Sequence, residues 1–364
     1  ARRAGREAGG PSLDYDALPL PATSFLGYAS TTGDARLVSL AVAGAATEEA
    51  TEGQEVEVVL DRTPFYGEGG GQVGDQGELL SGSGAVRVMD TFHAGRGLLV
   101  HRGVVSHGGI MVNEVVTAKV DANRRADIAR NHTATHLLHA ALRVVLGPHL
   151  RQAGSLVAPE RLRFDFSHIA PLTHDEVERV ERLVNEKIRE DWVVSHREMD
   201  FQAAVQEGAL AFFDEKYGNV VRVIAIGAPD VTRPHFHPEA GTTFSNELCG
   251  GTHCFQTGEV GLFHVVSEGS VGAGMRRIEA VTGRAAEQLF HERLAGMEDI
   301  ARQLGSTPQD APARVATLVQ ALDAERRRAQ ELQRAISRLQ VDDLLSRSTE
   351  VEGVQVLAAR VQAQ

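Results

Sequence analysis

The chain has 364 residues, too many for one compact core, so two or three domains are expected. Hydrophobic residues make up 42% and charged residues 24%, an ordinary globular composition that excludes wholesale disorder and collagen-like repetition. Lys and Arg total 37 against 49 Asp and Glu, a net charge of −12, the wrong sign for a protein that coats nucleic acid over its whole surface.

The start, Ala1-Arg2-Arg3, carries no Met and no apolar secretory core, so the chain is expected to be a piece of a longer protein. Residues 1–24 are rich in Gly, Ala, Arg and Pro and read as a linker or the end of a preceding domain. Residues 25–120 hold short alternating runs, such as Val56 to Leu60, Val86 to Met89 and Leu98 to Val100, between glycine-rich turns. That pattern predicts a small antiparallel β-barrel or sandwich. Residues 121–285 mix a helix over 123–146, strand-like runs over 162–166 and 220–226, and an amphipathic helix over 174–191, which gives an α+β domain. Over 286–348 the stripe Phe290, Leu294, Met297, Ala301, Leu304, broken near Pro308 and resumed through Val315, Leu318, Leu322, Leu332, Ile336 and Leu339, predicts a helical coiled-coil hairpin, with Glu325 interrupting it. Residues 349–364 read as the truncated start of another domain, beginning with a strand-like run from Val354 to Val361. No apolar run approaches the roughly 18 residues of a membrane helix, so no membrane partner is expected.

The ligand-bearing motifs are more specific. In Asn131-His132-Thr133-Ala134-Thr135-His136 the two imidazoles lie four apart and share one helix face. In Glu247-Leu248-Cys249-Gly250-Gly251-Thr252-His253 two glycines let a thiolate and an imidazole converge. One Cys with three His suits tetrahedral zinc, and either His139 or Cys254 could replace a nominated ligand. The two cysteines make no disulfide framework and point to the reducing cytoplasm. The position after His132 is Thr133, so this is not the helix of a zinc protease. The glycines between Asp61 and Gly77 lack a following Gly-Lys-Ser/Thr, which removes a phosphate loop. Residues 269–279 combine glycines with Arg276 and Arg277 and suit either an anion grip or a surface hairpin. Between Lys119 and His168 eight basic residues stand against four acidic ones, a net +4, so an anion is expected to dock there.

Five motifs in order resemble the alanyl-tRNA synthetase family over about 22–285: Thr63-Pro64-Phe65-Tyr66 with Gly69-Gly70-Gly71-Gln72-Val73-Gly74-Asp75, the Asn131 to His136 run, Arg163-Phe164-Asp165-Phe166-Ser167-His168, the Glu247 to His253 run, and Arg276-Arg277-Ile278-Glu279-Ala280-Val281-Thr282-Gly283. The resemblance implies an intact enzyme that joins alanine to tRNA(Ala) with ATP and Mg2+. It also implies that this portion, lacking the aminoacylation domain, holds the glycine-rich barrel and a zinc-binding editing domain that hydrolyses mischarged Ser-tRNA(Ala) and Gly-tRNA(Ala). The helices and final strand look like the family's coiled-coil linker and the start of its C-terminal domain, through which a homodimer is expected. Zinc ligands would be His132, His136, Cys249 and His253. Thr63 and Gln72 would supply a hydroxyl and an amide to the serine side chain, completing a catalytic set with His132, His136 and Cys249. Arg124, Arg125, Arg163, Arg276 and Arg277 would grip the tRNA acceptor end. Whether the zinc activates water or orients the substrate stays open, and a zinc-stapled RNA-binding module without catalysis, or a coiled-coil scaffold, competes with the editing reading. Residues 231–245 depart from the family by a lengthened loop that is expected to alter access to the pocket, with His235 and His237 as the lesser alternative of extra ligands.

Overall fold

Alternation of buried and exposed residues closes the first domain on itself. The computed structural model describes residues 13–17, 19–211, 218–227 and 243–360. Six strands, β1 (Thr32–Val42), β2 (Glu55–Leu60), β3 (Gly77–Leu80), β4 (Gly84–Ala94), β5 (Leu98–Met111) and β6 (Val115–Val120), form the ladder β6-β3-β4-β5-β2-β1. It shuts where β6 pairs back onto β1, from Val115 opposite Arg36 to Lys119 opposite Thr32. Closure leaves these strands no free edge. The lumen is filled by Leu37, Val58, Leu60, Phe65, Leu79, Val86 and Val116.

The second domain is organised around α1 (Ala122–Leu146), which the Asp121 side chain caps by accepting from the Arg124 amide at 3.0 Å. Every side chain from Asn131 to Leu142 is buried, so the helix has no solvent face along that stretch. Two sheets enclose it. One is built from β7 (Gln152–Val157), β8 (Leu162–Ser167), β12 (Phe263–Gly272) and β13 (Met275–Thr282) in the order β7-β8-β13-β12. The other is β9 (Val193–Asp200), β10 (Val220–Gly227) and β11 (Thr243–Leu248) in sequence order. In β8 the period of two is plain: Leu162, Phe164 and Phe166 are buried against α1 while Arg163, Asp165 and Ser167 face away. Helix α2 (His174–Arg189) opens with a reciprocal Thr173/Glu176 capping box and buries Val180, Val184 and Ile188, one turn apart, in the same core. A short helix, α3 (Phe201–Gln206), follows β9.

The expected fold class, an α+β chain with a small antiparallel barrel, is borne out. Residues 1–288 form one compact unit and 289–364 another. Helices α4 (Gly283–Gln303) and α5 (Ala311–Ser346) occupy the predicted helical stretch. Their apolar stripes do not pair along their length as a self-packed hairpin would: Leu294, Leu332 and Leu339 are 55%, 58% and 69% exposed. The last strand is also shorter than expected, since Val354–Val356 pairs with Thr349–Val351 in a small hairpin and ends there. Among the described residues no helix is long and apolar enough to cross a membrane.

Candidate metal centre

Two distant segments meet at one point. Helix α1 presents His132 and His136 with rings stacked 5.4 Å apart and inclined by only 10°, as a four-residue spacing dictates. Strand β11 runs out into the turn carrying Cys249 and His253. That turn passes so close to α1 that a Cβ at Gly251 would stand 2.0 Å from His132 Cε1, so only glycine fits. The Cys249 Sγ lies 3.3 Å from His132 Nε2 and 3.3 Å from His253 Nε2, and one ligand atom from each of His132, His136, Cys249 and His253 falls within 4.8 Å of all the others.

The far side of each imidazole is anchored. Gln72 Oε1 accepts a hydrogen bond from His132 Nδ1 at 2.7 Å, which leaves the Nε2 lone pair facing the sulfur. Glu247 does the same for His136, with Oε2 at 2.5 Å from Nδ1, and its other oxygen meets His139 Nδ1 at 2.8 Å. Thr133 Oγ1 stands 3.4 Å from His253 Nδ1. His136 Nε2 is buried and has no hydrogen-bond partner among the described residues, which is the mark of a lone pair reserved for an ion. Burial opposes charge on the Cys249 thiol, yet the neighbouring His132 and His253 imidazoles win and hold its pKa well below the usual thiol value. Burial also disfavours the charged form of His136, but the Glu247 carboxylate outweighs it and lifts this histidine to about 10, so an ion bound at Nε2 would take the place of a proton. His253 is pushed down to about 3 by burial and by His132 beside it. A thiolate with three imidazoles, each with an oriented tautomer or a free lone pair, fits zinc. The alternatives resolve: His139 is bound to Glu247 and stands outside the converging four, and Cys254 is a buried thiol raised to about 12 by desolvation.

Two cavities flank the cluster. A cleft of about 260 Å³ opens over His132, His136 and Cys249, bordered by Gly70, Thr135 and Ser155. A cavity of about 470 Å³ lies behind His253, between the barrel and the second domain, walled by Tyr28, His196, Arg222 and Phe255.

The other residues singled out from the sequence are placed differently. Thr63 is wholly buried in the barrel, its hydroxyl 2.8 Å from His101 Nε2, and lines neither cavity. Gln72 is also buried, with its amide committed: Oε1 accepts from His132 and from the Thr252 amide at 2.9 Å, and Nε2 donates to Thr252 Oγ1 at 3.0 Å. It therefore holds the His132 imidazole, where a contact to a serine side chain was expected. Arg125 is inside the protein, paired with Asp75 and donating to the carbonyls of Gly27 and Pro64. Arg124 donates to Gly74 O at 2.8 Å, Arg277 makes a two-point pair with Asp165, to which Arg163 also turns, and Arg276 pairs with Glu268. Residues 269–279 accordingly form a β-hairpin whose turn holds Gly274 at φ +70°. The glycines near Gly71 serve contact between domains: a Cβ at Gly71 would lie 2.2 Å from Ser155 Oγ, and the chain there bonds Val157 in both directions. His235 and His237 lie outside the described residues, and Thr243 to Ser245 are strand rather than loop.

Sequence reasoning passed over Glu247, Tyr28 and Arg222. A signal for the first was available, since Ser245, Glu247 and Cys249 alternate onto one face of a strand beside a thiolate.

Residues 12–124 match the family model for tRNA synthetases class II (A), and residues 221–279 match the second additional domain of threonyl and alanyl tRNA synthetase. Among curated proteins, the chain is 46% identical to an alanine-tRNA ligase of Roseiflexus sp. (strain RS-1) over 353 residues, 95% of this chain and 39% of that protein. It is 43% identical to the alanine-tRNA ligase of Bacillus subtilis (strain 168) over 341 residues, 94% of this chain and 37% of that one. With the alanine-tRNA ligase of Chloroflexus aurantiacus it shares 44% identity over 363 residues, 99% and 40% of the two. The family resemblance drawn from the five motifs is borne out, and the chain spans about two fifths of the length of these relatives.

Proposed function

We infer that this chain is the proofreading portion of an alanine-tRNA ligase, hydrolysing the ester of tRNA(Ala) mischarged with serine or glycine. The intact cytoplasmic enzyme would join alanine to the same tRNA with ATP and Mg2+. The observation that carries the reading is the convergence of His132, His136, Cys249 and His253 beside an open cleft, in a chain whose residues 221–279 match the second additional domain. The need is physical: an alanine pocket discriminates weakly against glycine, which is smaller, and against serine, which adds one hydroxyl, so a second hydrolytic site raises fidelity.

His132, His136, Cys249 and His253 would hold zinc, which supplies Lewis acidity or an orienting charge near the ester. The protein's own residues do the rest. Gln72 and Glu247 hold two imidazoles in the tautomer that faces the centre. Thr135, Gln152 and Ser155 give the cleft a polar wall for an amino acid and its ribose. Of the arginines, Arg163 and Arg277 keep 29% and 34% of their side chains exposed and would be the ones to meet an acceptor strand.

Incubating the chain with Ser-tRNA(Ala) tests the reading. Deacylation should be lost in Cys249→Ala and after zinc removal, and restored to the native chain by zinc. Zinc bound at one equivalent without hydrolysis would favour the RNA-binding module, to which four protein ligands and a closed coordination sphere are also suited.

A further inference from the structure

Behind the metal-binding turn, two residues from different domains hold three successive carbonyls. Arg222 Nη1 donates to Cys249 O at 3.1 Å and to Gly251 O at 2.8 Å. Tyr28 Oη donates to the carbonyl between them, Gly250 O, at 2.5 Å. The two residues also hold each other, the Arg222 guanidinium carbon lying 4.0 Å from the Tyr28 ring centroid. Arg222 grips the turn a third time through its own carbonyl, which accepts from the Cys249 amide at 3.0 Å. Tyr28 belongs to the segment leading into the barrel and Arg222 to β10, so the clamp spans the seam between the domains.

The turn needs such a clamp. Two adjacent glycines give residues 249–253 more backbone freedom than any other dipeptide would, and that freedom must be lost when Sγ and Nε2 come within 3.3 Å. Gly251 is indispensable because of His132, so at that position the sequence cannot stiffen the turn by substitution. Bonds from outside supply the restraint that this position cannot. Carbonyls that accept from a guanidinium make stronger bonds than neutral donors give, and a guanidinium stacked on a ring loses little rotamer freedom in making them.

We propose that Tyr28 and Arg222 are positioning residues that preorganise the 249–253 turn for the metal, so that the barrel sets the geometry of an ion whose ligands all come from the second domain. This rests on the metal reading above. Tyr28→Phe removes the hydroxyl and keeps the ring; Arg222→Gln removes the charge and the fork; Arg222→Lys restores charge over the ring without the fork.

Cobalt(II) is the probe, because thiolate coordination gives a near-ultraviolet charge-transfer band, with zinc affinity read by chelator competition on the whole chain. In the unaltered chain the band should be present, and Cys249→Ala should abolish it. Tyr28→Phe and Arg222→Gln should each weaken zinc binding roughly tenfold or more and shift the band while the apo chains still unfold cooperatively, as expected for groups that orient ligands from outside. Arg222→Lys should recover part of the affinity. Band and affinity within twofold of the unaltered chain in both Tyr28→Phe and Arg222→Gln would overturn the clamp and leave the metal centre standing. Absence of the band from the unaltered chain would overturn both.

Discussion

Replacing Arg125 by methionine separates two roles that the sequence alone leaves open, anion grip and internal bolt. The residue is 6% exposed; Nε reaches both oxygens of Asp75 at 3.0 and 2.9 Å, Nη1 donates to Gly27 O at 2.9 Å, and Nη2 donates to Pro64 O at 2.8 Å. Asp75 is fully buried and also accepts from the Tyr66 amide at 2.7 Å. Removing one partner of such a pair strands a buried charge at a cost of about 3 to 5 kcal/mol. At about 2.1 cal/mol/K of unfolding entropy per residue, a unit of roughly 280 residues loses on the order of 7 °C in Tm for about 4 kcal/mol. Calorimetry of Arg125→Met measures this directly. The double variant Asp75→Leu with Arg125→Met should regain most of the loss, because an apolar pair strands nothing. The salt dependence of tRNA binding should keep its slope, whereas a lost phosphate contact would lower it by about 0.7 to 0.9. A variant within about 1 kcal/mol of the native stability whose salt slope fell by that amount would refute the bolt.

Gly251→Ala places a methyl 2.0 Å from His132 Cε1 and 2.8 Å from Gln72 Oε1, so His132 must swing away. Zinc stoichiometry should fall well below one while the barrel still unfolds cooperatively; full zinc occupancy would show that the turn has slack. His101 is wholly buried between Val58 O and Thr63 Oγ1, and burial pushes its pKa down to about 4. The unfolded chain takes up this proton near pH 6.5 and the folded chain only near 4. Stability is therefore full above about pH 6.5 and falls as the pH drops toward 4, by about 2 kcal/mol between pH 7 and pH 5. Urea titrations at those two pH values should show that share of the decline missing from His101→Gln, and an identical decline in both proteins would mean that His101 does not titrate as its burial requires.

The convergence of His132, His136, Cys249 and His253 was legible because it depends on short-range spacing: a four-residue step on α1 and a two-glycine turn each bring two of these side chains together before any tertiary contact is known. The barrel was legible from strand alternation for the same reason. What orients the ligands was not. Gln72 lies 60 residues from His132, and Glu247 lies 111 from His136, so nothing local marks either as a partner. Gln72 drew attention for its amide, but its reach to substrate was an inference about free hydrogen-bonding capacity, and folding consumes that capacity on His132 and Thr252. Thr63 went the same way, to His101. The helical stripe past residue 289 was read correctly as periodic, but periodicity states only that a face is apolar and leaves open what covers it.

Net charge along a window misleads for a related reason. The +4 between Lys119 and His168 looks like a docking face for an anion, yet its guanidinium groups are mostly used as forks that join elements. Arg124 ties α1 to Gly74, Arg130 ties it to Glu259 O while pairing with Asp127 on its own helix, Arg143 closes the end of the helix onto Pro148 O and Leu150 O, and Arg163 turns to Asp165 on its own strand. An arginine has five donors in a fixed plane, and a carbonyl or carboxylate at the right angle occupies them as effectively as a phosphate would. A cluster of arginines in sequence is therefore as readily the mark of a seam that must be fastened as of an anion site. At the junction of the barrel with α1 the fastening is what the structure displays, since the acceptors of Arg124 and Arg125, Gly27 O, Pro64 O, Gly74 O and Asp75, all come from the barrel side.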